Sequence, residues 1–392
     1  MVLRLAILGL ETSQREWLDA VAALRASGEI ELVGIGHENL AGGRGIAAMF
    51  KGAVAGETAE ARGGRPSEGG TPSGTPSGDV PAFDDLRQLL KEAAPQVILM
   101  DRPSTATIEF LLACAAQEIG ILSLGPPVES LAEAQALAEA LEARTRLLYV
   151  WPRFADAPAS AHCAQADEFV RPIRFASATW LGINYALAKA MQSGRLGHGH
   201  TLMLPVRSLS VLAWDALGAL IRLMGMPASV YAAIRGTAGS GNSFADISGA
   251  ASVTLRYEDD AAASLTLCDR APGAGGEAAH GDLGSWHRRD LMLWGAGGTL
   301  KLNTQAYEFR DADGELIDAG PPVSGSRSAS GEGRGEALGT LRRFLEQYAL
   351  PPSPHRGWEH HLEEIAATME ALVVSHRTGQ AESPERLRKL RR

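Results

Sequence analysis

The first 37 residues confine the chain to a small set of folds. Leu3 to Leu8 (LRLAIL) is a short apolar run closed by Gly9, and Gln14 to Ser27 repeats Trp17, Leu18, Val21 and Leu24 at helical spacing. Ile30 to Gly36 (IELVGIG) is a second apolar run. Runs this short and this apolar are buried on both faces, so the order strand, helix, strand opens a right-handed βαβ unit in a parallel sheet. Where such a unit holds a dinucleotide, its first turn reads G-x-G-x-x-G, because glycines let the backbone approach a pyrophosphate and aim a helix N-terminus at it. Here the turn reads Gly9-Leu10-Glu11-Thr12-Ser13-Gln14. The first glycine is kept, and Glu11 brings a negative charge to the phosphate position. The second strand of such a site ends in a carboxylate that accepts from a ribose hydroxyl; this one ends at His37, with Glu38 one residue later.

The alternation continues along the chain. Asp84 or Asp85 is a candidate N-cap for a helix from Leu86 to Ala93, Val97 to Met100 is a buried strand, Glu109 to Gln117 a helix, and Ile119 to Leu124 a strand ending at Gly125-Pro126-Pro127. This pattern predicts an α/β fold with a doubly wound parallel sheet. It is interrupted at 52–79, which contains TPSGTPSG; such composition favours a mobile surface insertion over a lid. Ser130-Leu131-Ala132-Glu133 is a capping box opening a helix that runs to Leu147.

Beyond Val150 the texture changes. Ile173 to Trp180, Ser229 to Ile234, Ala251 to Tyr257, Ala262 to Cys268, Leu291 to Trp294, Thr299 to Leu302 and Tyr307 to Arg310 read as strands separated by turn residues. Strands in succession indicate a largely antiparallel sheet, and helices at Ala186 to Ser193, Val211 to Met224, Leu338 to Tyr348 and His360 to Arg377 are expected to cover one face of it. At 392 residues two domains are expected.

A net charge of −9 argues against a nucleic-acid partner, which needs a basic face. The basic run Arg386 to Arg392 reads as a solvated tail. Cys114, Cys163 and Cys268 follow no metal or redox spacing, and no stretch is long and apolar enough for a bilayer, so a cytoplasmic protein without a membrane partner is expected. His198 and His200 lack a third ligand at a clear spacing, adjacent His360 and His361 point to different helix faces, and no metal site is expected.

Several segments, in the right order, resemble the Gfo/Idh/MocA family, the glucose-fructose oxidoreductase and inositol dehydrogenase group. They are VPAFDDLRQLLKEAAPQVILMDRP, ESLAEAQALAEALEA, ASVTLRYEDDAAASLTL with LMLWGAGGTLKLN, and the closing helices LRRFLEQY and ALVVSHRTGQ. The resemblance implies a Rossmann domain over 1–127 that binds NAD or NADP, and an α/β domain over 128–392 with an open sheet that takes a sugar-like ligand and joins a homo-oligomer. It implies cofactor contacts from Gly9, Glu11, Thr12, Ser13, His37 and Pro103, joined by Asp101 and Arg102, which end a parallel strand where open α/β sheets bind ligands. Arg153 and Asp215 are the candidate substrate contacts, each with a structural alternative: an ion pair for Arg153, and a helical cap or pair for Asp215. The family's usual hydride transfer uses E-K-P and D-x-x-x-H motifs to handle protons. In this chain Pro126 stands at the lysine, Ala219 at the motif histidine and Thr107 at a further histidine, while Asp215 keeps the motif aspartate and is the one candidate catalytic residue. The expectation is a divergent member that binds a dinucleotide, a sugar-like ligand or both, with little ordinary dehydrogenase activity. The alternative is an active NAD(P)-dependent oxidoreductase working through substituted groups.

Overall fold

The structure is a computed structural model describing residues 2–10, 14–51, 79–101, 106–142, 148–150, 154, 170–182, 208–238, 243–244, 247–269, 288–303, 306–320, 329–350 and 361–391. Two compact units divide the chain: Met1–Leu124 with Ala140–Val150 and Ser330–Gly357, and Gly125–Glu139 with Trp151–Ala329 and Trp358–Arg392.

The first unit is built on six parallel strands: β1 (Leu3–Leu8), β2 (Ile30–Gly36), β3 (Ala82–Phe83), β4 (Val97–Met100), β5 (Gly120–Ser123) and β6 (Leu148–Val150), in the order β3-β2-β1-β4-β5-β6. Every residue of β4 and β5 is buried, as an apolar run without alternation demands of a sheet covered on both faces. Helix α1 (Arg15–Ala26) buries Trp17, Leu18, Val21 and Leu24, the residues whose spacing marks it in the sequence.

Helix α2 (Leu40–Lys51) is not legible from propensity, since it contains Gly42, Gly43 and Gly45. It persists because Ile46, Ala47 and Phe50 are buried. Asp85 is the N-cap of α3 (Leu86–Gln88), accepting from Arg87 N at 2.8 Å. The expected helix to Ala93 loosens into a π-turn over Leu89–Ala93, which places Leu89, Leu90 and Ala93 in the core. Helix α4 spans Ile108–Ala116 and α5 spans Leu131–Glu142. In the capping box Ser130 Oγ accepts from Glu133 N at 3.3 Å, while Glu133 Oε2 accepts from Glu129 N at 2.8 Å, one residue ahead of the expected partner. The end of that helix near Leu147 and the insertion 52–78 lie outside the described residues.

The second unit holds an eight-stranded sheet ordered β14-β13-β12-β11-β7-β10-β9-β8. Its strands are β7 (Ile173–Leu181), β8 (Ser229–Ala238), β9 (Ile247–Arg256), β10 (Ala262–Cys268), β11 (Arg288–Gly295), β12 (Gly298–Asn303), β13 (Tyr307–Arg310) and β14 (Leu316–Gly320). All neighbours are antiparallel except β7 and β10, which run parallel, so the sheet is mixed and mostly antiparallel. Helices α6 (Ser208–Met224) and α8 (Leu362–Thr378) pack against it. The edge of β8 is satisfied from outside the sheet: Val230 N donates to Glu382 O at 2.8 Å, Ala232 N to Ser375 Oγ at 3.0 Å and Ile234 N to His376 Nδ1 at 3.2 Å. The expected helix at Ala186 to Ser193 lies outside the described residues.

Two expectations are corrected. Helix α7 (Ala329–Ala349), which contains the segment Leu338 to Tyr348, belongs to the first unit rather than covering the second sheet. There Phe344 meets Tyr149 with ring centroids 6.4 Å apart, and the Tyr348 ring lies over Gly120, where a Cβ would come within 2.6 Å of it. An apolar helix face does not specify which of two sheets will bury it. The basic run Arg386 to Arg392 is not a tail either: Pro384–Arg391 forms α9, packed on α8, and Gln135 Nε2 donates to Arg388 O at 3.1 Å.

Arg342 on α7 also pairs with Glu29, Nη2 to Oε1 at 2.8 Å. The Arg342 hydrogen bond, followed by that of Ser27, holds the Glu29 carboxyl below its usual range. A carboxyl with a depressed native pKa contributes stability that is complete above its unfolded value and disappears as pH falls through the native one. Wild type is therefore expected to lose melting temperature faster than Glu29→Gln between about pH 5 and pH 3. The pair is exposed, so the difference will be small. Parallel melting curves for the two proteins would refute the linkage.

Candidate functional site

In the first unit the strand order reverses between β1 and β4, and in open α/β sheets ligands bind at the carboxyl ends of strands at such a point. Gly9 leaves β1 with φ +71°, a conformation that favours glycine, and its N–H donates to Gly36 O at 2.9 Å. Asp101 leaves β4 with its N–H on Leu8 O at 3.0 Å. Gln14 is the N-cap of α1, and its Nε2 donates to Asp101 Oδ2 at 2.7 Å. Gln14 occupies the third glycine position of the dinucleotide fingerprint, where the absence of a side chain lets helix and strand approach. In this chain a carboxamide stands there and reaches from the start of α1 to the end of β4.

His37 follows β2 and is buried at 9 % exposure. Its backbone N–H donates to Phe83 O at 2.9 Å and its Nδ1 accepts from Asn39 N at 3.0 Å. A ring nitrogen that accepts carries no proton, so the proton lies on Nε2, which is a donor. The ring lies on α2 at Gly42, where a Cβ would approach Cε1 to 2.7 Å. This explains a glycine inside that helix. Glu11, Thr12, Ser13, Arg102 and Pro103 lie outside the described residues. Thr107 is the exposed N-cap of α4, and its hydrogen bond to Glu109 is the main cause that holds that carboxyl below its usual range.

In the second unit Asp215 projects from α6 toward β7 and β11. Its Oδ2 accepts from Trp180 Nε1 at 2.9 Å, and its Oδ1 from Phe154 N at 3.2 Å. Arg289 Nε lies 3.0 Å from Oδ2, with Arg289 and Asp215 side chains only 11 % and 6 % exposed. The Arg289 N–H is off the line to the oxygen, so this contact is an ion pair rather than a directed hydrogen bond. The Phe154 and Trp180 rings pack at 4.9 Å, tilted by 54°. Ala219, one helical turn from Asp215, is buried. Arg153 lies outside the described residues. Sequence reasoning missed both Gln14 and Arg289. The signals for Arg289 were a charged start, Arg288-Arg289-Asp290, to an apolar strand and its register opposite Trp180, and the second appears in the fold alone.

No family model and no curated protein sequence matches the chain. Solved structures do match it along almost their whole length. A levoglucosan dehydrogenase in complex with NADH and levoglucosan aligns with TM-score 0.67 at 14% identity, over 98% of this chain and 99% of that one. An oxidoreductase from Agrobacterium radiobacter in complex with NAD+, L-tartaric acid and magnesium aligns with TM-score 0.66 at 13% identity, over 99% of this chain and 100% of the other. The UDP-N-acetylglucosamine 3-dehydrogenase GnnA from Acidithiobacillus ferrooxidans gives 0.62 at 16% identity, over 97% and 100%. The protein therefore has the fold of these oxidoreductases: a parallel Rossmann-type sheet and a second, mixed and mostly antiparallel one.

Proposed function

We propose that the protein binds a dinucleotide, NAD or NADP, on its first unit and a sugar-like ligand on its second, with little ordinary hydride transfer. The binding half is supported by the fold it shares with proteins solved with NAD+ or NADH, and by a fitting scaffold: a reversal of strand order, a left-handed glycine after β1 and a helix N-terminus beyond it. Gly9 and the first turn of α1 would hold the pyrophosphate, with His37 beside the ribose and Asp101 at the neighbouring strand end. A bound dinucleotide supplies hydride chemistry of its own, and the protein's part is to orient it and to move the accompanying proton.

The catalytic half rests on Asp215. A general base needs a lone pair aimed at a substrate hydroxyl, and both carboxylate oxygens are engaged by Phe154, Trp180 and Arg289. Asp215 in this reading anchors the second sheet to α6. With Pro126 and Ala219 at the lysine and histidine positions, the loss of general acid–base help is on the order of 10²–10⁴ in rate. We further propose a cytoplasmic homo-oligomer formed on the face of the second sheet that carries Phe175 and Tyr231, 39% and 49% exposed.

Titration of NADH and NADPH, followed by nicotinamide fluorescence, tests the binding half; failure of both to bind ends it. Sugar and polyol oxidation at rates ordinary for a dehydrogenase would end the catalytic half. Gln14→Gly removes the carboxamide that ties Asp101 while keeping a residue tolerated at an N-cap. It is expected to tighten NADH by about three- to tenfold, the worth of one charge-assisted hydrogen bond no longer in competition. Unchanged or weaker binding would show that the Gln14–Asp101 bond does not obstruct the dinucleotide.

A further inference from the structure

Arg289 carries more hydrogen-bond donors than the described residues of the second unit use. Its side chain is 11 % exposed, its Nε is buried against Asp215, and among the described residues no acceptor meets either terminal nitrogen. Asp215 takes the Phe154 N–H on Oδ1 and the Trp180 N–H on Oδ2, and it meets Arg289 at Nε rather than through a terminal nitrogen. Nε is closed to solvent, whereas the terminal nitrogens, neither buried without a partner nor bonded, remain reachable.

We infer that Arg289 binds the carboxylate of a sugar acid through the terminal edge of its guanidinium. The inference rests on the proposed sugar-like ligand and names its chemical class. The planar fork of arginine matches a carboxylate with two parallel N–H donors, a charge-assisted arrangement about twice as strong as neutral bonds. The rings of Phe154 and Trp180 beside the pair lower the local dielectric and strengthen it. Charge selects among anions. The two charge-assisted hydrogen bonds of the fork favour a carboxylate over a neutral polyol, and the adjacent Asp215 carboxylate repels a dianion such as phosphate more strongly than a monoanion.

The test is isothermal titration of the full chain with potassium gluconate and with D-glucuronate, against sorbitol, D-glucose and inorganic phosphate, repeated with Arg289→Lys. Lysine keeps the charge opposite Asp215 and loses the fork. Gluconate or glucuronate is expected to bind the wild type at least about tenfold more tightly than sorbitol, and Arg289→Lys to weaken that binding by about 10- to 100-fold while NADH binding stays as in wild type. Sugar acids that bind no better than sorbitol or phosphate, or that bind a folded Arg289→Lys as well as wild type, overturn the inference. If Arg289→Lys does not fold, the wild-type preference decides alone. NADH titrations on the same samples separate the two readings: sugar-acid selectivity without NADH binding removes the dinucleotide alone, and NADH binding without that selectivity removes the sugar acid alone.

Discussion

Asp215→Ala is expected to lower folding stability by about 3–5 kcal/mol, because it strands the Arg289 charge in a nearly closed site. It also leaves Trp180 Nε1 and Phe154 N without their acceptor. The cost is set by what remains behind and not by the strength of the pair. For that reason the double variant Asp215→Leu with Arg289→Met, which removes both charges and keeps apolar volume, is expected to recover most of the loss. Urea denaturation of the two single variants and the double one completes the cycle. A loss below about 1 kcal/mol in Asp215→Ala, the range of an exposed pair, would show that Asp215 is not an anchor. It would return the residue to candidacy as a base.

A loss of about 2–5 kcal/mol is expected for Gly249→Ala, combining left-handed strain with backbone overlap. Gly249 has φ +109° and faces Gly236, at φ +149°, across β8 and β9. A Cβ at Gly249 would lie 2.2 Å from Arg235 O, and one at Gly236 would lie 2.1 Å from Ser248 O. Neither obstacle is a side chain that can swing aside. Close approach here also places Asp269, whose Oδ2 accepts from Gly249 N and whose N–H donates to Gly249 O, both at 2.9 Å. Gly28→Ala is the control for left-handed strain alone, since at φ +75° nothing lies within 4 Å of its Cβ position. Thermal melts showing the two variants equally stable would remove backbone overlap as the cause.

The parts of the fold visible in the sequence are those in which one period dominates. β1, α1 and β2 were readable because Trp17, Leu18, Val21 and Leu24 keep helical spacing between two unbroken apolar runs. β14 was not, because all of its first four residues are exposed and the strand therefore carries no alternation. β6 is three residues long, too short for a period. α2 was hidden by its glycines, one of which exists to seat the His37 ring. In the candidate site, Gly9, His37, Asp101 and Asp215 could be picked out by position in a motif. Their partners could not, since Gln14 and Asp101 are 87 residues apart and Trp180 and Asp215 are 35 apart.

Local chain chemistry decided, before any folding, that this protein would alternate strand and helix and then string strands together, and that a proline and an alanine would stand at Pro126 and Ala219. Those properties depend on residue identity and short-range spacing, and no later step can alter them. Tertiary structure alone settled which sheet received α7, that Gln14 would close on Asp101, and that Asp215 would meet Arg289 with both oxygens in use. The reason is physical: hydrogen bonds and ion pairs act over a few ångströms, and only the folded chain brings residues so distant in sequence within that range.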